Sequence, residues 1–157
     1  SAMNLILILF SLLSLIIFIL ARPFNALITS DQFTSSQLDL ATNLTRLMIF
    51  AQLFFAISNF LTGIIQAQQR FLIPALSPVV YNLGIIVGIV FLTPLIGIYG
   101  AAVGVLLGAF LHLAIQLPLA IHLGFTYRPV IDLTHPGVKA MFRLMPPRTL
   151  AISVSQL

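Results

Sequence analysis

The 157-residue sequence contains no cysteine, no tryptophan and no glutamate. Without cysteine there is no disulfide framework, no thiolate metal site and no thiol nucleophile. Charge is scarce too: 6% of residues are charged, against about 25% in a soluble domain. The three acids, Asp31, Asp39 and Asp132, all fall in predicted loops. A span without a carboxylate argues against a proton relay or an intramembrane aspartyl protease. HExxH, GxSxG and P-loop patterns are absent, as is a Ser/His/Asp set at workable spacing. His112, His122 and His135 do not have metal-ligand spacing. No enzyme activity, metal or cofactor is therefore expected.

What is present is apolar. Hydrophobic residues make up 60% of the chain and the mean hydropathy is +1.15. The fold class that follows is all-α, a polytopic transmembrane helix bundle. Four full spans are expected, at about 4–21, 47–67, 74–93 and 98–122. The N-terminus has no basic region and no cleavage pattern, so it does not read as a signal peptide. Ser1-Ala2 ahead of Met3 reads as an added tail, and the apolar run at the C-terminus reads as cut short. The chain is expected to be a piece of a longer protein.

The stretch from Arg70 to Asn82 organises the rest, because it turns the chain between two spans. Pro74 suits a helix first turn, where a missing N–H costs least. Pro78 and Asn82 follow one turn apart inside an apolar run. At membrane depth both need partners, so this hairpin is expected to pack on other helices.

The first span carries Ser11 and Ser14 on one face, and Arg22-Pro23 is expected to end it. Ser36-Gln37-Leu38-Asp39 resembles a capping box, which starts the next helix near Gln37. In that second span Gln52, Ala56, Asn59, Gly63 and Gln66 share a single stripe. Two readings stand: a helix–helix seam glued by amides, or the wall of a polar cavity. In the third span Ser77, Tyr81, Gly84 and Gly88 form a second stripe, with a close-approach GxxxG motif. Residues 94–97 are expected to be a tight turn. The fourth span holds Gly100, Gly104 and Gly108, then His112 and Gln116. The glycines are expected to seat a neighbouring helix, and Pro118 to kink the end. His112 is either hydrogen-bonded packing or part of a pathway.

Residues 123–147 are polar and basic, with Val138, Met141, Phe142 and Met145 at i, i+3, i+4 and i+7. Lys139 and Arg143 lie on the other face, so an interfacial amphipathic helix is expected at 136–145. Residues 148–157 are expected to start a fifth, truncated span. Arg70, Arg128, Lys139, Arg143 and Arg148 lie on one side of the membrane, and Arg22 and Arg46 on the other. The positive-inside rule puts the first group in the cytoplasm, with Arg70, Lys139, Arg143 and Arg148 near lipid headgroups.

Arg70-Phe71, Ile73-Pro74-Ala75, Pro78 and Asn82 together resemble the MurJ (MviN) family, the lipid II flippases of bacterial cell-wall synthesis. Leu61-x-Gly63-Ile64-Ile65, Gln116-Leu117-Pro118, the loop before Pro146 and Ser153-Val154-Ser155-Gln156 extend the likeness. The resemblance implies the multidrug/oligosaccharidyl-lipid/polysaccharide exporter fold, two six-helix lobes around a central cavity. The spans would be helices three to six of the N-terminal lobe, residues 123–147 the cytoplasmic linker, and residues 148–157 the start of helix seven. It implies a bacterial inner-membrane location and a lipid-linked oligosaccharide substrate moved by alternating access. It implies further partners in membrane lipids and the missing helices, and no nucleic acid. The family's pyrophosphate-binding arginines would lie outside this chain. Gln52, Asn59, Gln66 and Asn82 are the candidate substrate path. Gly63, Pro78, Gly84, Gly88, Gly100, Gly104, Gly108 and Pro118 are the candidate packing or hinge positions. The alternatives are an exporter of the same fold for another lipid-linked sugar or a drug, and a non-transporting membrane scaffold.

Overall fold

A computed structural model describes residues 2–29, 33–127, 129 and 137–139. Among them the ordered backbone is helical, with no strand. The helices are α1 (Ala2–Ile28), α2 (Ser35–Ala67), α3 (Leu72–Val87), α4 (Thr93–Ile96) and α5 (Ile98–His122). A single π turn, Gly88–Leu92, joins α3 to α4. The helices make four membrane-capable spans, with α3, the π turn and α4 acting as one, Leu72–Ile96.

Three boundaries differ from the sequence reading. Arg22-Pro23 does not end α1, which runs on to Ile28 with Pro23 inside it. Proline removes the bond to the carbonyl four residues back and crowds that carbonyl, which bends a helix without having to end it. Beyond it the backbone is well served, since Asn25 Nδ2 donates to the Ala21 carbonyl at 2.8 Å and Thr29 Oγ1 to the Asn25 carbonyl at 2.8 Å. The capping box of α2 sits two residues earlier than expected. The Gln37 amide donates to Thr34 Oγ1 at 3.3 Å and the Thr34 amide to Gln37 Oε1 at 2.9 Å. Threonine and glutamine fill the two roles that a capping box needs. The third span does not stop at residue 93. Pro94 has no amide hydrogen for the Val90 carbonyl, and the chain widens into the π turn and continues to Ile96. The turn is then Gly97, at φ 61° and ψ −143°, a conformation that suits glycine.

The helices lie side by side in the order α1, α2, α5, α3, and α2 scarcely meets α3. α5 is the centre: a third of its apolar window is buried, against 6% for α1. α1 runs antiparallel to α2, and its C-terminal part is tied there by an Arg22–Asp39 ion pair of 3.2 Å. Arg46 Nε donates to the Phe18 carbonyl at 3.2 Å, and its guanidinium lies 5.0 Å from the Phe18 ring centre. The rest of α1 presents a nearly continuous apolar surface, including Leu9, Leu12, Ile16 and Ile19. In a bilayer that surface is at home against lipid tails or other helices.

Of the residues after 127, only Gly137–Lys139 is a described helical turn, with Val138 buried and Lys139 exposed. The other residues of the expected amphipathic helix, Arg128, Arg143, Arg148 and residues 148–157 lie outside the described residues.

Candidate functional site

α5 meets its two neighbours through different chemistry. Toward the third span it presents Gly100, Gly104 and Gly108, all buried, with Gly100 set against Leu92 and Thr93. A Cβ added to Gly84 would enter the Gly108 backbone, and one on Gly88 would enter the Gly104 backbone. One on Gly104 would lie 2.8 Å from the Gly88 Cα. At Gly84, Gly88 and Gly104 the seam is backbone on backbone, and at Gly108 the Tyr81 carbonyl and ring close it. Pro74 and Ser77 are buried on α3 as well, and Ser77 Oγ donates to the Ile73 carbonyl at 2.8 Å.

Toward α2 the contact is polar. His112 and Gln116 sit one turn apart on α5, and Ser58 and Thr62 one turn apart on α2. The offset is 54 residues for both pairs, so the two helices run parallel. Ser58 Oγ lies 2.6 Å from His112 Nδ1, and Gln116 Nε2 donates to Ser58 Oγ at 2.8 Å. Thr62 Oγ1 donates to Gln116 Oε1 at 2.7 Å. Ser58 Oγ also lies within donating distance of the His112 carbonyl, at 3.3 Å, so its hydroxyl ties to both the ring and the backbone of His112. Ser58 and Gln116 are fully buried and His112 is 8% exposed. No buried side-chain nitrogen or oxygen among the described residues lacks a partner. Phe55 packs edge-on against both His112 and Tyr81, at 5.3 and 5.0 Å between ring centres. Ser58 and Thr62 are not among the residues that the sequence singles out. Their four-residue spacing, matched by His112 and Gln116 on another span, is the signal that could have found them.

The amide stripe is elsewhere. Gln52, Asn59 and Gln66 are all exposed. They lie about 100° around α2 from Ser58 and Thr62, between the faces that meet α5 and α1. None of the three makes a side-chain hydrogen bond within the described residues. Ala56, Asn59 and Gly63 line a cavity of about 510 Å³ against Ile6 and Phe10 of α1. Gly63 has no neighbour within 4 Å of an added Cβ, so it forms no close approach here. Asn82 is exposed on α3 and its amide folds back on its own helix, Nδ2 to the Pro78 carbonyl at 2.8 Å. The structure thus brings Gly84, Gly88, Gly100, Gly104 and Gly108 together and leaves the four candidate path amides exposed, with no hydrogen bond to another helix. Pro78 and Pro118 lie exposed within their helices. Arg70 is exposed at the α2–α3 turn. No cluster of metal-ligating residues occurs among the described residues.

The sequence model described as lipid II flippase MurJ matches residues 1–157. The chain belongs to the MurJ family. The family's lipid II flippase from Burkholderia cenocepacia is 32% identical over 124 residues, which is 75% of this chain and 24% of that protein. A probable MurJ from Borreliella burgdorferi is 27% identical over 75% of this chain and 23% of its own length. Another, from Buchnera aphidicola of Schizaphis graminum, is 30% identical over 90% of this chain and 27% of its own length. The chain spans about a quarter of the length of the curated relatives it matches.

Proposed function

We propose that the chain is a four-span portion of a flippase for lipid-linked oligosaccharides, lipid II foremost, in a bacterial cytoplasmic membrane. The observation that carries this reading is the unpartnered amide stripe of α2. Three exposed amides on one span make no side-chain hydrogen bond to any described helix, on a chain that belongs to the MurJ family. An amide at membrane depth without a partner is costly in hydrocarbon, so that face meets water or further polar groups. A pyrophosphate-sugar cannot cross hydrocarbon for the same reason, and a polar wall lowers its barrier. Gln52, Asn59 and Gln66 form that wall, and Asn82 lies on the same route. Alternating access then carries the headgroup past them while the lipid tail stays in the bilayer. The basic count puts Arg70 and Lys139 on the cytoplasmic side.

The test is made in the full-length protein, in a bacterium depleted of its own lipid II flippase. Rescue by the parent sequence is expected. Asn59→Leu should lose rescue at normal protein level. Cysteine placed at Gln52, Asn59 or Gln66 should react with membrane-impermeant thiol reagents. Unreactive cysteines with rescue intact would make the stripe a dry packing face, as a scaffold or an unrelated path would require.

A further inference from the structure

The α2–α3 turn and the end of α5 enclose a groove of about 500 Å³, lined by Gln69, Arg70, Phe71, Leu72, Ile73, Leu119, His122 and Leu123. That volume is in the range of small-ligand sites. We infer that this groove holds the phosphate of an anionic phospholipid from the surrounding leaflet, on Arg70 with His122 and Gln69 beside it. The inference rests on the chain spanning a membrane with this end cytoplasmic, and not on what the protein moves.

Three features make the case. First, the donors are uncommitted. Arg70, Gln69 and His122 are exposed and their side chains have no hydrogen bond or ion pair within the described residues. The nearby helix ends do not need them. The Arg70 amide donates to the Ile65 carbonyl at 3.2 Å and the Gln69 amide to the Gln66 carbonyl at 2.9 Å, so backbone closes α2. The Phe125 amide donates to the Ala120 carbonyl at 3.0 Å and closes α5 in the same way.

Second, among the described residues the groove is lined by one arginine and by no acid. An arginine presents a fork that fits phosphate oxygens. Cytoplasmic leaflets are anionic, and attraction to them raises the local concentration of such lipids about fivefold for each basic group.

Third, the walls match the rest of a lipid. Phe71 and Leu72 are 56% and 72% exposed, and half-buried Ile73, Leu119 and Leu123 lie behind them. A soluble phosphate has no use for that apolar flank. A glycerophospholipid places its acyl region there. The turn also holds its shape at a cost: Gln69 sits at φ 58°, where a residue other than glycine is strained.

Site-specific crosslinking tests this in the full-length protein, with benzoylphenylalanine in place of Phe71. The protein is reconstituted in phosphatidylcholine vesicles with a minority of phosphatidylglycerol, and the lipid adducts are read by mass spectrometry. Phosphatidylglycerol should exceed its mole fraction among the adducts about fivefold. Arg70→Gln should return it to the mole fraction and Arg70→Lys should keep most of the excess. The same probe in place of Leu95, at the opposite end of the third span, should show none. Adducts at the mole fraction, or an excess equal at Leu95 or indifferent to Arg70→Gln, would overturn the site. An excess abolished by millimolar inorganic phosphate would overturn the lipid assignment and make it a site for the free anion. If Arg70→Gln is not recovered folded, the Leu95 comparison and the phosphate competition still decide.

Discussion

α5 is held on one side by the absence of side chains and on the other by their hydrogen bonds. Against α3, glycine repeats every four residues on both helices, and the fit depends on shape alone. Against α2, four side chains pair through hydroxyl, imidazole and amide groups. The two seams constrain motion differently. A slide of one residue along the polar seam would break every bond in it, and the groups would stay buried without partners. A slide of one full turn that moves Gly84 to Gly104 and Gly88 to Gly100 replaces glycine by glycine. Register is therefore fixed between α2 and α5, and far less between α5 and α3. If the intact protein rocks, α2 with α5 should move as one body.

The largest effect is expected from blocking the glycine seam. Gly88→Leu puts a branched side chain where a bare Cβ already meets the Gly104 backbone and lies 2.7 Å from the Gly100 carbonyl oxygen. Backbone cannot step aside as a flexible side chain can. Overpacking costs typically 1–3 kcal/mol, and this site belongs at about 3 kcal/mol or above. Thermal unfolding in detergent should show the loss, and Gly63→Ala, which meets nothing, should change it little. Equal stability of the two variants would refute the backbone-on-backbone seam.

The glycine seam is legible in the sequence, because a four-residue glycine period survives in a one-dimensional string. The spans are legible for the same reason, since hydropathy integrates over about 20 residues. Their ends are not. Pro23 looks like a stop, yet proline removes one bond, and Asn25 and Thr29 nearby bond the local carbonyls. The amide stripe is legible as a stripe, while what it faces is not. Ser58 and Thr62 stay hidden because a single pair of hydroxyls four apart is a weak mark in an apolar run, and the pair that matches it lies 54 residues on. His112 is visible as an ionisable group in a span, but a chain read singly does not show which helix answers it.

The polar seam should respond more mildly. Gln116→Leu removes the donor to Ser58 and the acceptor of Thr62 together. Hydrogen bonds between membrane helices are worth about 0.6 kcal/mol on average and up to about 1.7 kcal/mol. Two lost bonds then cost about 1–2 kcal/mol, with Ser58→Ala near 1 kcal/mol. The pair shares one bond, so the double variant should cost less than the sum of the singles. Strict additivity in a double-mutant cycle would mean that Ser58 and Gln116 act independently, and the clamp between α2 and α5 would dissolve into separate contacts.

The smallest effect lies where α2 and α5 should behave alike and do not. Both helices run the same way and end in the same pair of bonds, Arg70 to Ile65 and Gln69 to Gln66 in α2, Phe125 to Ala120 and Gly124 to Ile121 in α5. In α5 the residue after the cap is Gly124 at φ 89°, and in α2 it is Gln69 at φ 58°. Glycine takes that conformation freely and glutamine does not, at roughly 1 kcal/mol in its disfavour. Gln69→Gly relieves that strain but adds backbone freedom to the unfolded chain, which returns part of the gain. A net stabilisation of about 0.5 kcal/mol is expected, read as a small upward shift in the unfolding temperature. Gly124→Gln should move it down by a similar or larger step. If both substitutions shift stability in the same direction, the two helix ends are not equivalent, and the glutamine is held in place by something other than the bonds that close α2.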